Sequence, residues 1–331
     1  MLLFFTLGFF AAILRIPLKL PPPIKEALTL YLLLAIGWHG GEEIARLEWD
    51  RLTVEFGFLG VGFVTNLLIG GLSYLILRHL VKLDRLNASA VAGHYGSDSA
   101  GTFVTALGVL SAAHIASSPT MPVMLAVMEI PGCVIALWLV SRLRRDSPRE
   151  GEAAPSSRAV WGEILGNPGL YLLFGGIVMG TIASVANPSA TERVDLLFVD
   201  LFQPLLCLFL LDLGVSAASR LRDLRGAGPR FIAFGLLAPN LFAGLGILVA
   251  HSWSMSIGVP MDLGTYVLFA VLCGSASYIA LPALQRMAFP DASPTLPLAA
   301  SLGLTFTYNV TLGIPLYMWL SQRLLATLPV A

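Results

Sequence analysis

Long apolar stretches occupy most of the 331-residue chain and leave little polar surface for water to solvate. Polar breaks marked by Pro and Gly divide these stretches into ten segments, each near the roughly 20 residues that a membrane-spanning helix needs. Charged residues make up only 12% of the chain, whereas a soluble domain carries about 25%. The sequence therefore predicts an all-α polytopic membrane protein with about ten transmembrane helices, at residues 1–18, 25–45, 53–79, 86–113, 119–143, 160–184, 196–220, 230–251, 262–288 and 294–325.

Basic residues are distributed unevenly between the two sides of this ten-span map. Sixteen of the 20 Lys and Arg residues follow odd-numbered spans, and positive charge marks the cytoplasmic side of a membrane protein. We therefore expect an integral protein of the bacterial inner (plasma) membrane, with both termini on the periplasmic or extracellular side. The 20 basic residues are balanced by 20 acidic ones, so no nucleic-acid partner is indicated.

The chain shows no motif for catalysis. It has no His-Glu-x-x-His sequence, no phosphate-binding Gly-Lys-Ser/Thr loop and no plausible Ser/His/Asp set. No segment of the chain resembles a nucleotide-binding domain that could drive a primary pump. We therefore expect a secondary transporter and not an enzyme, with no bound cofactor.

The longest polar stretch lies almost at the midpoint of the chain. This segment, residues 144–159, has the composition of a flexible cytoplasmic linker. Five predicted spans precede it (1–143) and five follow it (160–331). Because five is an odd number, the second half must enter the membrane in the opposite direction. The sequence therefore predicts two inverted five-helix repeats.

Two short matches between the halves support this repeat. Residues 96–99 (Gly-Ser-Asp-Ser) match residues 274–277 (Gly-Ser-Ala-Ser) at an offset of 178, and residues 34–37 match residues 211–214 at an offset of 177. Gly and Ser weaken a helix, and corresponding interrupted helices in inverted halves indicate a binding site near the bilayer midplane. Alternatively, these small residues only allow the helices to pack closely.

A few ionisable or polar side chains lie inside the predicted spans. Asp98 is in the middle of span four, where an ionised carboxylate costs about 2.5–3.5 kcal/mol. We expect Asp98 to bind sodium; carrying a proton and a structural hydrogen-bonding role are the alternatives. Three further candidate sodium ligands are Glu129, Asp212 and Asn309. The two acids have structural alternatives, since Glu129 could bond backbone freed by Pro131 and Asp212 could bond a neighbouring span.

At these segments the chain resembles the sodium-dependent bicarbonate permease family, the SbtA-type bicarbonate transporters best known from cyanobacteria. The resemblance runs through most of the chain and is carried by residues 32–44, 96–107, 128–131 and 273–284. It implies a core domain that moves against a gate domain, a homotrimer, and bicarbonate held by Ser side chains and backbone amides of two broken helices, beside a sodium site. The anion-binding residues implied by the resemblance are Gly96, Ser97, Ser99, Thr102, Gly274, Ser275 and Ser277.

The chain departs from the family pattern in two respects. The second-repeat motif of the family carries an Asp where this chain has Ser277, and Asp98 stands at a position that is neutral in the family. One negative charge is thereby kept near the site but moves to the other repeat. The linker is also shorter than in the cyanobacterial members, which weakens the expectation that a PII-like cytoplasmic regulator binds.

Sodium-coupled symport of bicarbonate is the leading hypothesis. One alternative is a proton-coupled carrier of another small carboxylate, which would use Asp98 or Glu129. A second alternative, from a different class, is a non-transporting membrane sensor that reports anion occupancy through its Arg-rich loops. Measured flux of a labelled anion distinguishes the two carriers from the sensor.

The charge distribution generates a prediction about topology. A cysteine introduced at position 152 should be inaccessible to a membrane-impermeant thiol reagent in intact cells, and accessible after the cells are opened, because the linker should be cytoplasmic. Labelling of this cysteine from outside intact cells would contradict the ten-span map.

Overall fold

The computed structural model describes residues 2–18, 20–46, 49–146, 168–186, 188–221, 223–224, 227–278 and 291–330, together with Gly162, Gly166, Leu281, Pro282 and Gln285. Most of the predicted linker therefore lies outside the described residues. Helices account for nearly all of the described chain, and it contains no strand. This agrees with the all-α prediction.

The helices follow one another with short connections. They are α1 (Leu2–Ile13), α2 (Pro22–Ala45), α3 (Trp49–Ile76), α4 (Arg85–Tyr95), α5 (Ala100–Ala112), α6 (Met121–Asp146), α7 (Pro168–Ala186), α8 (Pro188–Asp195), α9 (Phe202–Leu221), α10 (Pro229–Ile257), α11 (Leu263–Cys273), α12 (Thr295–Leu298) and α13 (Ile314–Thr327). Wider π-helical turns extend α3, α8 and α12 and precede α13, at Leu77–Val81, Leu196–Asp200, Ala299–Phe306 and Asn309–Gly313.

Within the described part of the chain, five helical stretches are long and apolar enough to cross a membrane. They are Thr53–Val81, Met121–Leu143, Pro168–Ala186, Arg193–Leu221 and Pro229–Ile257. Two more apolar helices, α1 and α11, are shorter than a full span. The five long stretches coincide with predicted spans three, five, six, seven and eight, which supports an integral membrane protein. The total of ten spans stays a prediction.

Glycines bring the backbones of two helix pairs into direct contact. In the pair of α2 and α7, a Cβ on Gly176 would lie 2.7 Å from the carbonyl oxygen of Leu34 and 2.9 Å from the backbone nitrogen of Trp38. In the pair of α1 and α9, a Cβ on Gly8 would overlap the carbonyl of Leu211, and one on Gly214 would overlap a carbonyl of α1. Such close approach is how helices associate in lipid, where hydrophobic burial offers little driving force between them.

The four helices of these pairs form one group, which we call the gate group (α1, α2, α7 and α9). The remaining long helices α3, α6 and α10 pack around α4, α5 and α11, and we call this second set the core group (α3–α6 and α10–α13). The two groups meet along a cavity that contains the candidate site.

The glycine contacts generate a prediction about stability. Gly176→Leu should lower the free energy of unfolding by about 1–3 kcal/mol or more, because the new side chain would meet the backbone of α2 and force α2 and α7 apart. The thermal midpoint of the purified protein in detergent measures this loss. Gly175→Leu is the matched control, since a Cβ at Gly175 has nothing within 4 Å. Equal midpoints for the two variants would contradict the close contact.

Candidate functional site

Both helices that carry a Gly/Ser motif are interrupted there, as the sequence predicts. Helix α4 ends at Tyr95, and α5 begins at Ala100. Ser99 caps the start of α5: its Oγ accepts a hydrogen bond from the backbone nitrogen of Thr102 at 3.2 Å and another from the Thr102 hydroxyl at 2.9 Å. The first amides of a helix have no acceptor within the helix, so the start of α5 carries a partial positive charge.

The second interruption follows α11 and crosses the first. The backbone nitrogen of Ser277 donates to the carbonyl of His94 at 2.8 Å, and the backbone nitrogen of Ser99 donates to Ser275 Oγ at 3.0 Å. His94 Nδ1 lies 2.6 Å from the Ser277 carbonyl and must donate to it, because a carbonyl can only accept. Each broken helix therefore supplies hydrogen-bond partners for the other.

Asn309 supports the second interruption from the last helical segment. Its Nδ2 donates to the Gly274 carbonyl at 2.8 Å, and its Oδ1 accepts from the Tyr317 hydroxyl at 2.7 Å. The carbonyl at the end of α11 has thus found a side-chain partner in place of water. In this conformation Asn309 holds the backbone of the motif, and a sodium contact stays a prediction.

Asp98 lies in the first interruption with no partner for its charge. Its side chain is 1% exposed, and neither carboxylate oxygen has a hydrogen-bond partner among the described residues. The Ser97 hydroxyl is likewise buried without a partner there. Glu129 of α6 interacts electrostatically with Asp98, and no described Lys or Arg forms an ion pair with either carboxylate. A buried carboxylate in this state calls for a cation or a proton.

Glycines hold the first interruption against α6 and α3. A Cβ on Gly132 would lie 2.8 Å from the backbone nitrogen of Ser97, and a Cβ on Gly96 would lie 3.0 Å from the Cα of Gly70. Gly132 follows Glu129 by one helical turn, so this contact brings the Glu129 carboxylate to the same level as Asp98. The Gly contacts thus create the pair of acids.

A cavity of about 520 Å³ lies against this crossing, within the usual size range of small-molecule sites. The core group contributes Ser99, Ala100, Glu129, Ser277 and Tyr278 to its wall. The gate group contributes the start of α2 and the start of α7. The beginning of α5, one acid and two hydroxyls of the predicted anion site therefore face one common space, with no Lys or Arg among its described lining residues.

The structure does not gather all predicted sodium ligands into one place. Asp212 pairs with Lys25, whose Nζ lies 2.7 Å from Asp212 Oδ1, and Asp212 does not line the cavity. Within the described residues no group of three or more His, Cys, Asp or Glu side chains is arranged to hold a metal ion. A sodium site here would therefore combine a carboxylate with hydroxyl and carbonyl oxygens.

Tyr278 is a lining residue that the sequence reasoning did not select. Its hydroxyl lies against Gly101 so closely that a Cβ on this glycine would overlap it. The ring packs on Phe306 at 5.7 Å between centroids. Its position directly after the second Gly/Ser motif was the signal that could have identified it.

Comparison with known proteins agrees with this architecture. No curated protein matches the chain. The family model described as the Na⁺-dependent bicarbonate transporter superfamily matches residues 1–322, which is almost the whole chain and includes both interrupted helices and the cavity between the two helix groups. The chain therefore belongs to the Na⁺-dependent bicarbonate transporter superfamily.

Proposed function

We propose that this protein is a symporter that carries bicarbonate into the cell together with sodium, and that Asp98 provides the coupling charge. The observation that carries this proposal is the buried Asp98 carboxylate without a hydrogen-bond or ion-pair partner in the described chain. An unpaired carboxylate at membrane depth is unfavourable. Sodium bound beside it, with the Ser97 hydroxyl as a neutral ligand, would remove that cost.

The anion would bind next to this cation at the start of α5. The helix amides and the hydroxyls of Ser99 and Ser277 offer hydrogen bonds to a delocalised charge. No described basic residue lines the cavity, so the anion is held without a full positive charge and can leave again. Without sodium, Asp98 and Glu129 would repel an anion; with sodium bound, this repulsion falls. Binding order thereby couples the two ions.

Alternating access would come from motion of the core group against the gate group. The cavity lies between them, and its wall includes Glu26 together with Gly162 and Gly166. These residues adjoin Lys25 and the central linker, which the charge distribution assigns to the cytoplasm. We therefore infer that this conformation opens inward.

The arrangement of helices supports an inverted repeat. Exchanging the two five-span halves converts the pair α1–α9 (spans one and seven) into the pair α7–α2 (spans six and two), and both pairs are joined by glycine contacts. The same exchange relates the interruption after α4 to the one after α11. The homotrimer and the PII-like regulator stay expectations from the family resemblance.

A proton-coupled carrier is the second candidate, and the proximity of Asp98 and Glu129 favours it. Two neighbouring carboxylates without a counter-charge can share a proton instead of binding sodium. Uptake driven by a pH gradient in the absence of sodium would support this candidate. Ligand-dependent stabilisation without any flux would instead support the anion sensor.

Asp98→Asn should abolish the stimulation of bicarbonate uptake by sodium, because it deletes the charge while keeping the shape of the side chain. Bicarbonate-dependent thermal stabilisation should be affected less. Both are measured with purified protein, in proteoliposomes and in detergent, over a sodium titration. Asp262→Asn is the control, since Asp262 is an exposed acid before α11 whose side chain makes no capping hydrogen bond. Normal sodium dependence of the Asp98 variant would move the coupling site to Glu129 or Asp212.

Ser97→Ala should weaken the apparent affinity for transported ions by about 1–2 kcal/mol, the value of one hydrogen bond to a charged group. Its thermal midpoint without ligands should not fall, since the hydroxyl has no partner in the described structure. Ser73→Ala is the matched control, because this hydroxyl of α3 is also buried without a partner but does not line the cavity. Unchanged affinity in the Ser97 variant would refute its assignment.

A further inference from the structure

A second cleft, of about 850 Å³, lies on the outer face of the core group, between α3, α6 and α10. Its walls are mainly aliphatic and include Leu72 and Leu75 of α3, Leu139 of α6 and Leu245 of α10. Leu75 is 52% exposed, as expected for a side chain that contacts lipid and not protein. The walls thus offer a groove for an acyl chain.

One end of this cleft is strongly basic. Arg78, His79, Arg85 and Arg142 line it, and none of its described lining residues is acidic. Arg78 Nη1 donates to the Leu83 carbonyl at 2.9 Å, which fixes the guanidinium at the end of α3. The charge distribution of the chain places this end at the cytoplasmic surface of the membrane.

Two further features mark the level of the lipid headgroups. The guanidinium carbon of Arg142 lies 5.2 Å from the ring centroid of Trp138, and exposed Trp side chains favour the membrane interface. Asp84, beside Arg85, is engaged as the cap of α4 through bonds from Asn87. Although burial acts in the opposite direction, these bonds hold the pKa of Asp84 below its usual value. Its charge is therefore directed to the helix start.

We propose that this cleft binds one anionic phospholipid, with the headgroup phosphate at Arg78, Arg85 and Arg142 and an acyl chain along the leucines of α3. Basic pockets between membrane helices on the cytoplasmic side suit such headgroups. A neutral lipid would leave the arginines without a matching charge, and a soluble anion would leave the apolar groove unfilled.

The bound lipid would also support the helix on which the first interruption rests. Gly71 lines the cleft, while its neighbour Gly70 contacts Gly96 at the interruption. This proposal does not depend on the transported substrate, so it can be tested without a transport assay.

Gly71→Leu should fill the groove and reduce the affinity for phosphatidylglycerol about tenfold, equivalent to the loss of one well-packed acyl segment. A Cβ at Gly71 has nothing within 4 Å, so the variant should fold. Gly60→Leu is the matched control on the same helix, where a Cβ also has nothing within 4 Å, and it should bind lipid normally. Native mass spectrometry of the full chain, titrated with phosphatidylglycerol or phosphatidylcholine, measures bound lipid.

Arg142→Gln should reduce binding of phosphatidylglycerol about fivefold, because it removes one basic residue at the headgroup. Arg323→Gln is its control: Arg323 also lies over a Trp ring, with its guanidinium carbon 5.7 Å from the Trp319 centroid, but outside the cleft. Equal binding of the two lipids, or full binding by Gly71→Leu, would overturn the proposal. Equal protection by glycerol phosphate alone, or loss of oligomers with unchanged lipid in Gly71→Leu, would overturn it as well.

Discussion

The hydrogen bonds between the two interrupted helices are the contacts on which the rest of this protein depends. Inside a membrane, water cannot satisfy the backbone groups that an interrupted helix leaves free. Here Ser277 donates to the His94 carbonyl, Ser99 donates to Ser275 Oγ, and Asn309 donates to the Gly274 carbonyl. Because each interruption needs the other, the two must lie together, and the polar surface that they expose becomes the wall of the cavity.

Glycines determine how this polar centre is held. In the gate group they join helices backbone to backbone, whereas Gly96 and Gly132 press the first interruption against α3 and α6. The second arrangement brings Asp98 to the level of Glu129 and leaves both acids without a basic partner in the described chain. Rigid packing within each group and a cavity between the groups are what a carrier with moving domains requires. The same packing explains why a single buried charge can govern coupling.

Much of the fold and part of the site could be predicted from the sequence. The apolar segments predicted the membrane helices, and the Gly/Ser motifs predicted interruptions at residues 96–99 and 274–277, because local composition alone weakens a helix there. The roles of other residues could not be predicted. Asn309 was a candidate sodium ligand, yet it holds a backbone carbonyl, and the partner of Asp212 is Lys25. No pattern of residue types indicates which distant side chains will meet.

The sequence by itself determined membrane insertion, the helical fold class, the family and the positions of the two interruptions, since each depends on local hydropathy, on local helix propensity or on a pattern spread along the chain. Only the tertiary structure decided that the interruptions cross and that Asp98 faces Glu129. It also decided that the arginines at the end of α3 and α6 share one cleft with exposed leucines. These features depend on close contacts between helices far apart in the chain, and such contacts arise from packing geometry rather than from any single segment.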